Sequence, residues 1–242
     1  HFGLKPKHTD LRDWQEKVVD KALYPKHKTS IAVVGKYIEL QDAYKSIYEA
    51  LRHGGIANDA HVEIRKIDSE VIELDGPQKA LEGVRGVLVP GGFGSRGIEG
   101  KIKAIQYARE NKIPFFGICL GMQCAAIEFA RDCAGLAYAN STEFIKRAKD
   151  PVISLLEEQR KVKEMGATMR LGAYPCQVAK GTIAYQAYRK PLVFERHRHR
   201  YEFNNRYRNL FVKKGMIFSG INPDKNLVEI LELKDHPWFV GV

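Results

Sequence analysis

Short apolar runs alternate with amphipathic segments along most of this chain. Residues 30–35 form an apolar run that ends in glycine, which is typical of a strand buried on both faces of a parallel sheet. Residues 42–53 place apolar side chains at helical spacing, and Gly54 and Gly55 follow as a predicted helix stop. The order strand, helix, strand predicts an α/β fold.

The same patterns predict the remaining elements. Strands are expected at 61–67, 86–90, 113–116, 151–156, 216–220, 227–233 and 238–242, strands joined by turns at 166–178, and helices around 80–81, at 99–111 and at 120–132. Residues 140–144 read as a polar loop and residues 157–164 as a solvated, mobile passage. The sequence therefore predicts a mostly parallel central sheet flanked by helices, with additional antiparallel strands in the C-terminal half.

The first 28 residues are interpreted as a linker that contains a helix at 10–23. Leu11, Trp14, Val18 and Val19 share one face of that helix. The main domain is expected to occupy residues 29–242.

Composition narrows the class of protein. The 242 residues contain neither a signal peptide nor an apolar run long enough to span a bilayer, so we expect a cytoplasmic protein without membrane contact. Four cysteines lack the spacing of a zinc site or a disulfide framework, and no metal site is predicted. The net charge of +10 is spread along the chain without a nucleic-acid-reading motif, so no nucleic-acid partner is expected.

The clearest chemical signal is the segment Gly117-Ile118-Cys119-Leu120-Gly121, which follows a predicted strand and begins a predicted helix. It is the cysteine counterpart of the nucleophile elbow, in which flanking glycines let strand and helix approach closely. A thiol at a helix N-terminus is expected to ionise readily, and the thiolate is the reactive form. Cys119 is therefore a candidate nucleophile, the alternative being a small buried apolar residue.

Two further segments carry candidate chemistry. Pro90-Gly91-Gly92-Phe93-Gly94 follows a buried strand, where backbone N–H groups can hold an oxyanion, although such a segment can also be a flexible turn. Residues 195–203 are rich in charged side chains, with arginine at every second position from 196 to 200. In a strand this alternation would place Arg196, Arg198 and Arg200 together as a carboxylate or phosphate clamp, the alternative being a solvated face.

Taken together, several motifs closely resemble the glutaminase domains of CTP synthases, which are class I glutamine amidotransferases. The elbow and the P-G-G segment are general to class I, whereas G-K-Y-I-E-L at 35–40, N-S-T-E-F at 140–144, G-x-T-M-R-L-G at 166–172 and R-H-R-H-R-Y at 196–201 look specific to this family. Ala167 replaces a glycine common in the third of these motifs. The resemblance covers the chain from about Ile31 onward.

The resemblance implies roles for individual residues. Cys119 matches the family's nucleophile, and Gly92 and Leu120 match the positions whose N–H groups form the oxyanion hole. The positions expected to bind glutamine are Gly92, Leu120, Gly121, Met122, Gln123, Glu143 and Arg200. Phe93 and Leu171 are weaker candidates for a GTP site.

The implied reaction is acyl transfer through a thioester, which releases ammonia from L-glutamine. In this family the base is a histidine in the motif H-P-E, oriented by the glutamate, and this sequence lacks the motif. His236 does not match that position. We therefore expect a glutaminase domain truncated before H-P-E, and impaired glutamine turnover by this chain alone.

The resemblance also implies partners and cofactors outside this chain. A separate N-terminal synthetase domain, absent here, would use ATP and Mg²⁺ to aminate UTP to CTP, GTP would act as activator, and the full-length enzyme would be a homotetramer. One alternative is a non-catalytic GTP-sensing or assembly module with the same fold. Another is a related amidotransferase such as a γ-glutamyl hydrolase, which the family-specific segments disfavour.

Overall fold

The computed structural model describes residue 3, residues 10–155 and residues 169–242. Its principal strands are β1 His27–Gly35, β2 Ala60–Asp68, β3 Gly86–Val89, β4 Phe115–Gly117, β5 Ala139–Ser141, β6 Asp150–Ser154, β7 Arg170–Val178, β8 Leu192–His199, β9 Glu202–Phe203, β10 Met216–Ile221, β11 Val228–Leu233 and β12 Phe239–Gly241. Its principal helices are α1 Lys45–Ala57, α2 Ser69–Asp75, α3 Pro77–Ala80, α4 Ile98–Glu110, α5 Leu120–Asp132, α6 Ile183–Tyr188 and α7 Arg208–Lys213.

The described strands form one large sheet and one small sheet. The large sheet has the order β2-β1-β3-β4-β12-β11-β10-β7-β8, in which the neighbours from β2 to β12 are parallel and the rest antiparallel. Strands β5, β6 and β9 form the small sheet. The predicted fold class, including the antiparallel strands of the C-terminal half, is confirmed.

Helix α5 lies at the centre of the protein. Every residue from Leu120 to Ala130 is buried, because the helix packs on β3, β4 and β12 of the large sheet and on all three strands of the small sheet. A helix that is apolar on nearly all sides requires such a position. Its one acidic side chain there, Glu128, is paired with Arg109 of α4 at 2.7 Å.

The parallel strands bring the candidate chemistry to one edge of the sheet. Strands β1, β3 and β4 run in the same direction, so the loops that follow Gly35, Val89 and Gly117 leave the sheet side by side. Ligands of open α/β sheets bind at the carboxyl ends of such strands. The fold thus places the P-G-G segment next to the elbow.

The N-terminal segment is helical as expected, in three consecutive pieces at Arg12–Trp14, Gln15–Val19 and Asp20–Leu23, the second of which is a π-helix. Its predicted apolar face is mostly exposed, with Leu11 at 66% and Trp14 at 57%. In the described part of the chain, no helix combines the length and the apolar character needed to cross a membrane.

Two glycines do not end helix α1, contrary to the prediction. The helix continues through Gly54 and Gly55 to Ala57. A Cβ at Gly55 would lie 2.5 Å from the Ala60 carbonyl oxygen, so this glycine permits close packing of the helix on β2. A glycine required by packing and a glycine that caps a helix look alike in a sequence.

Two other predictions change in the C-terminal half, and a third is not tested. Residues 139–141 form strand β5 and are buried, so the predicted polar loop is only the turn after them. Within 166–178, the described part is the single strand β7 rather than several, because eight consecutive residues pair with β8. The predicted mobile passage at 157–164 lies outside the described residues.

Candidate active site

Cys119 occupies a strained turn between β4 and α5. Its φ of 53° and ψ of −103° are unusual for a residue with a side chain. A Cβ at Gly117 would lie 2.7 Å from the Gly121 carbonyl carbon, and a Cβ at Gly121 would lie 2.1 Å from the Val89 oxygen. Both glycines are therefore required by close packing, and the elbow geometry inferred from the motif is present.

The P-G-G segment lies against this turn. A Cβ at Gly91 would lie 3.5 Å from Cys119 Cβ and 3.9 Å from its Sγ. Two side chains hold the segment. Lys36 Nζ donates a hydrogen bond to the Phe93 carbonyl, and the N–H of Gly94 donates to Glu143 Oε1 at 2.8 Å. The segment is thus tied to its surroundings at both Phe93 and Gly94.

A cleft of about 400 Å³ opens beside the thiol. Its lining consists of Gly92, Phe93, Cys119, Gln123, Glu143, Met169, His199, Arg200 and Tyr201. Six of these nine residues were candidates from the sequence alone. Those six come from four separate segments of the chain: Gly92 and Phe93, Cys119 and Gln123, Glu143, and Arg200. The tertiary structure therefore gathers one anionic and one cationic side chain around the candidate nucleophile.

The other predicted positions lie around this cleft. The Leu120 N–H forms a hydrogen bond with the Cys119 sulfur, and the Gly121 N–H donates to the Ile118 carbonyl at 2.8 Å. Met122 lines a second cavity, which also reaches Cys119. Phe93 is half exposed at the cleft, whereas Leu171 lies on β7 and is 58% exposed. Their proposed contacts with GTP stay predictions.

The side-chain amide of Gln123 is hydrogen-bonded through its nitrogen but not through its oxygen. Its Nε2 donates to the Tyr201 carbonyl at 3.1 Å. Its Oε1 is buried and has no hydrogen-bond partner among the described residues. Buried polar atoms are normally paired, so this oxygen is suited to accept a hydrogen bond from a ligand in the cleft.

The expectation that Cys119 ionises readily is wrong for this structure. Burial, together with smaller contributions from the nearby carboxylates of Glu143 and Glu202, raises the pKa of the thiol to about 11. The hydrogen bond from the Leu120 N–H lowers the pKa but does not outweigh the loss of hydration. The resting cysteine is a thiol at neutral pH, so its reaction requires that a base remove the proton.

This pKa predicts the pH dependence of alkylation. Only the thiolate reacts, and its fraction rises about tenfold per pH unit below the pKa. We therefore expect the rate of Cys119 modification by iodoacetamide to increase steeply from pH 7 to pH 10 without a plateau. Peptide mass spectrometry of the time course measures this rate separately from that of the other three cysteines. A plateau near pH 8 would contradict the assignment.

The predicted clamp of three arginines does not form. Strand β8 ends at His199, so Arg200 lies beyond it and turns into the cleft, while Arg196 and Arg198 remain exposed. The alternation instead directs the half-buried His197 and His199 inward. The alternating pattern was visible in the sequence, but it did not show which of its two faces is buried.

No pattern in the sequence indicated the buried network behind the cleft. Arg170 of β7 bonds Glu202 Oε1 at 3.2 Å and Glu229 Oε1 at 2.8 Å. Donor atoms of His197, His199 and Glu229 lie within 4.8 Å of one another, a spacing that suits a metal ion. However, the two imidazoles contact each other at 2.8 Å and Glu229 is bonded to Arg170, so these groups already serve as one another's partners.

Comparison with known proteins agrees with this geometry. The family model described as glutamine amidotransferase class-I matches residues 39–242. The CTP synthase of Caldanaerobacter subterraneus is 57% identical over 233 residues, which is 96% of this chain and 43% of that protein. The CTP synthase of Ruminiclostridium cellulolyticum is 58% identical over 241 residues, which is 100% of this chain and 45% of that protein. The chain thus spans less than half the length of these relatives.

A solved structure supports the same relationship. The glutaminase domain of Trypanosoma brucei CTPS with bound acivicin has a TM-score of 0.82 and 38% identity, and the match covers 88% of this chain and 84% of that one. A putative GMP synthase protein from Thermoplasma acidophilum, at TM-score 0.55 and 14% identity over 89% of this chain and 83% of that one, shares the fold. This chain belongs to the class I glutamine amidotransferases and, among them, to the glutaminase domains of CTP synthases.

Proposed function

We propose that this chain hydrolyses L-glutamine to supply ammonia for the ATP-dependent amination of UTP to CTP. The observation that carries the proposal is the cleft in which Cys119, Gln123, Glu143 and Arg200 meet. The guanidinium of Arg200 suits the α-carboxylate of glutamine, and the carboxylate of Glu143 suits its α-ammonium group. The unpartnered Oε1 of Gln123 offers a further acceptor.

The proposed chemistry begins with attack of the Cys119 sulfur on the side-chain amide carbon of glutamine. The N–H groups of Gly92 and Leu120 would stabilise the oxyanion that forms. Ammonia leaves, a γ-glutamyl thioester remains, and water hydrolyses it. Because the thiol is protonated at rest, a base must first take its proton and then pass a proton to the leaving nitrogen.

Two histidines near Cys119 are poorly suited to be that base. Burial and the charge of Arg170 lower the pKa of His197 and of His199 to about 4. We propose instead the histidine of an H-P-E motif, which does not occur in these 242 residues. The carbonyl of Val242 accepts the Cys119 N–H at 2.6 Å. Without a base to take the proton of the thiol, turnover of glutamine is expected to be slow.

The remaining partners are also proposals. GTP is proposed as an activator that binds near Phe93 and Leu171. ATP and Mg²⁺ are proposed to act in an N-terminal synthetase domain of a cytoplasmic homotetramer, so no residue here is assigned to them. The non-catalytic alternative is not favoured, because the cleft keeps a nucleophile and complementary charges for an amino acid.

Acivicin, a glutamine analogue, provides the test of substrate recognition. It is expected to alkylate Cys119, and glutamine is expected to protect the thiol. Arg200→Met should raise the acivicin concentration for half-maximal inactivation roughly 10-fold to 100-fold, since one hydrogen-bonded charge is lost. Mass spectrometry of the Cys119 peptide gives the inactivation rate at each concentration.

Arg85→Met is the matched control, because this exposed arginine before β3 lines neither the cleft nor the second cavity that reaches Cys119. It should leave the inactivation curve unchanged. Equal effects of the two substitutions, or failure of glutamine to protect, would contradict the proposed binding mode.

A further inference from the structure

One backbone carbonyl connects the glutamine cleft to the buried network behind it. The oxygen of Tyr201 accepts a hydrogen bond from Gln123 Nε2 at 3.1 Å and lies 3.2 Å from His199 Nδ1. Tyr201 follows Arg200 directly, and all four residues line the cleft. This one carbonyl therefore contacts Gln123 directly and lies one residue along the chain from Arg200, and both side chains are proposed to bind the amino-acid end of glutamine.

The hydrogen bonds determine the tautomers of both histidines. A carbonyl only accepts, so His199 Nδ1 must carry the hydrogen that it shares with Tyr201. His199 Nε2 is then an acceptor, and His197 Nδ1, 2.8 Å away, must be the donor. The low pKa of both imidazoles is consistent with neutral rings that each carry one hydrogen. The result is a directed chain from His197 through His199 to the Tyr201 carbonyl.

The outer end of this chain packs against a buried ion pair of the sheet. His197 Nε2 lies 3.6 Å from Glu229 Oε2 on β11, and because the ring carries its hydrogen on Nδ1 these two acceptor atoms form no hydrogen bond. The other oxygen of Glu229 accepts a hydrogen bond from Arg170 on β7, and the two side chains are 5% and 6% exposed. Both stand on paired strands, so they form a fixed surface against which His197 packs, while its orientation is set by the hydrogen bond from its Nδ1 to His199.

We propose that His199 is a positioning residue for glutamine, which fixes the Tyr201 carbonyl and through it the side chains of Gln123 and Arg200. His197 supports it by selecting the tautomer that donates to the carbonyl. This inference rests on the proposed glutaminase function. It concerns how the substrate is held, not the reactivity of the thiol.

Two substitutions of His199 by amide residues distinguish this positioning role from a general contribution to the stability of the fold. His199→Asn places an amide nitrogen near the position of Nδ1 and keeps a donor for the Tyr201 carbonyl. His199→Gln reaches the position of Nε2 and leaves the carbonyl without that donor. We expect the acivicin concentration for half-maximal inactivation to rise about 10-fold in His199→Gln and less than threefold in His199→Asn, since one hydrogen bond is worth about that ratio.

The experiment uses the natural full-length protein and two reagents. Iodoacetamide has no amino-acid end, so its rate with Cys119 should stay within twofold of wild type in both variants, and thermal unfolding should show that both are folded. An unchanged acivicin curve in His199→Gln, or a parallel loss with both reagents, would overturn the inference. If one amide variant does not fold, His197→Ala is expected to weaken acivicin about threefold, and no change would also overturn it. Failure of acivicin to modify the wild-type protein would instead reject the proposed function.

Discussion

Replacing Cys119 by alanine is expected to reduce glutamine hydrolysis at least about a thousandfold in the natural full-length protein. The substitution removes the atom that would form the thioester, and loss of a covalent nucleophile typically has effects of this size or larger. The measurement is release of glutamate and ammonia at saturating glutamine. The same variant should form no acivicin adduct at position 119.

Cys124→Ala is the matched control for this prediction. Cys124 lies on the same helix and is fully buried, and burial raises the pKa of its thiol to about 12. Substitution there should leave the rate of hydrolysis within about threefold of wild type. Residual hydrolysis by Cys119→Ala within tenfold of wild type would show that another group is the nucleophile.

Gly121→Ala is expected to destabilise the fold by about 3 kcal/mol or more. The added methyl group would lie 2.1 Å from the Val89 carbonyl oxygen and 3.2 Å from Val89 Cβ. Strand β3 and helix α5 are both central, so neither can move away cheaply, and overpacking of a rigid core is costly. Urea unfolding measures the loss, which should exceed the small gain in helix propensity.

Gly54→Ala tests the same chemical change where there is space. Gly54 lies in helix α1, is exposed, and a Cβ there would have nothing within 4 Å. Alanine should stabilise the protein by up to about 1 kcal/mol. Unfolding of Gly121→Ala at the same urea concentration as Gly54→Ala would show that close packing at the elbow does not require Gly121.

The elements around the site were largely predictable because their signals are local. An apolar run that ends in glycine predicts a buried strand wherever it occurs, and the predicted bounds of helix α5 agree with the observed ones. The glycines were harder to interpret. Gly55 permits contact with Ala60, a residue that meets it only through tertiary packing, so no pattern within the helix distinguishes it from a helix stop.

The direction of the side chains in residues 195–203 was a second feature that the sequence did not predict. Alternation shows that two sets of residues face opposite ways, but which set is buried depends on what lies behind the strand. Here Arg170 and Glu229 lie behind it, so the two histidines turn inward and two of the arginines stay exposed. Arg200 reaches the cleft because the strand ends one residue before it.

By itself, the sequence determined the α/β architecture, the elbow around Cys119 and the kinds of charged group that accompany it, because these depend on local pattern and on residue type. Only the tertiary structure decided how the thiol behaves and which polar groups support the cleft. Burial raises the pKa of Cys119 to about 11 despite its place at a helix N-terminus. Hydration and hydrogen-bond partners depend on residues distant in the chain, which is why neither could be read from the motif.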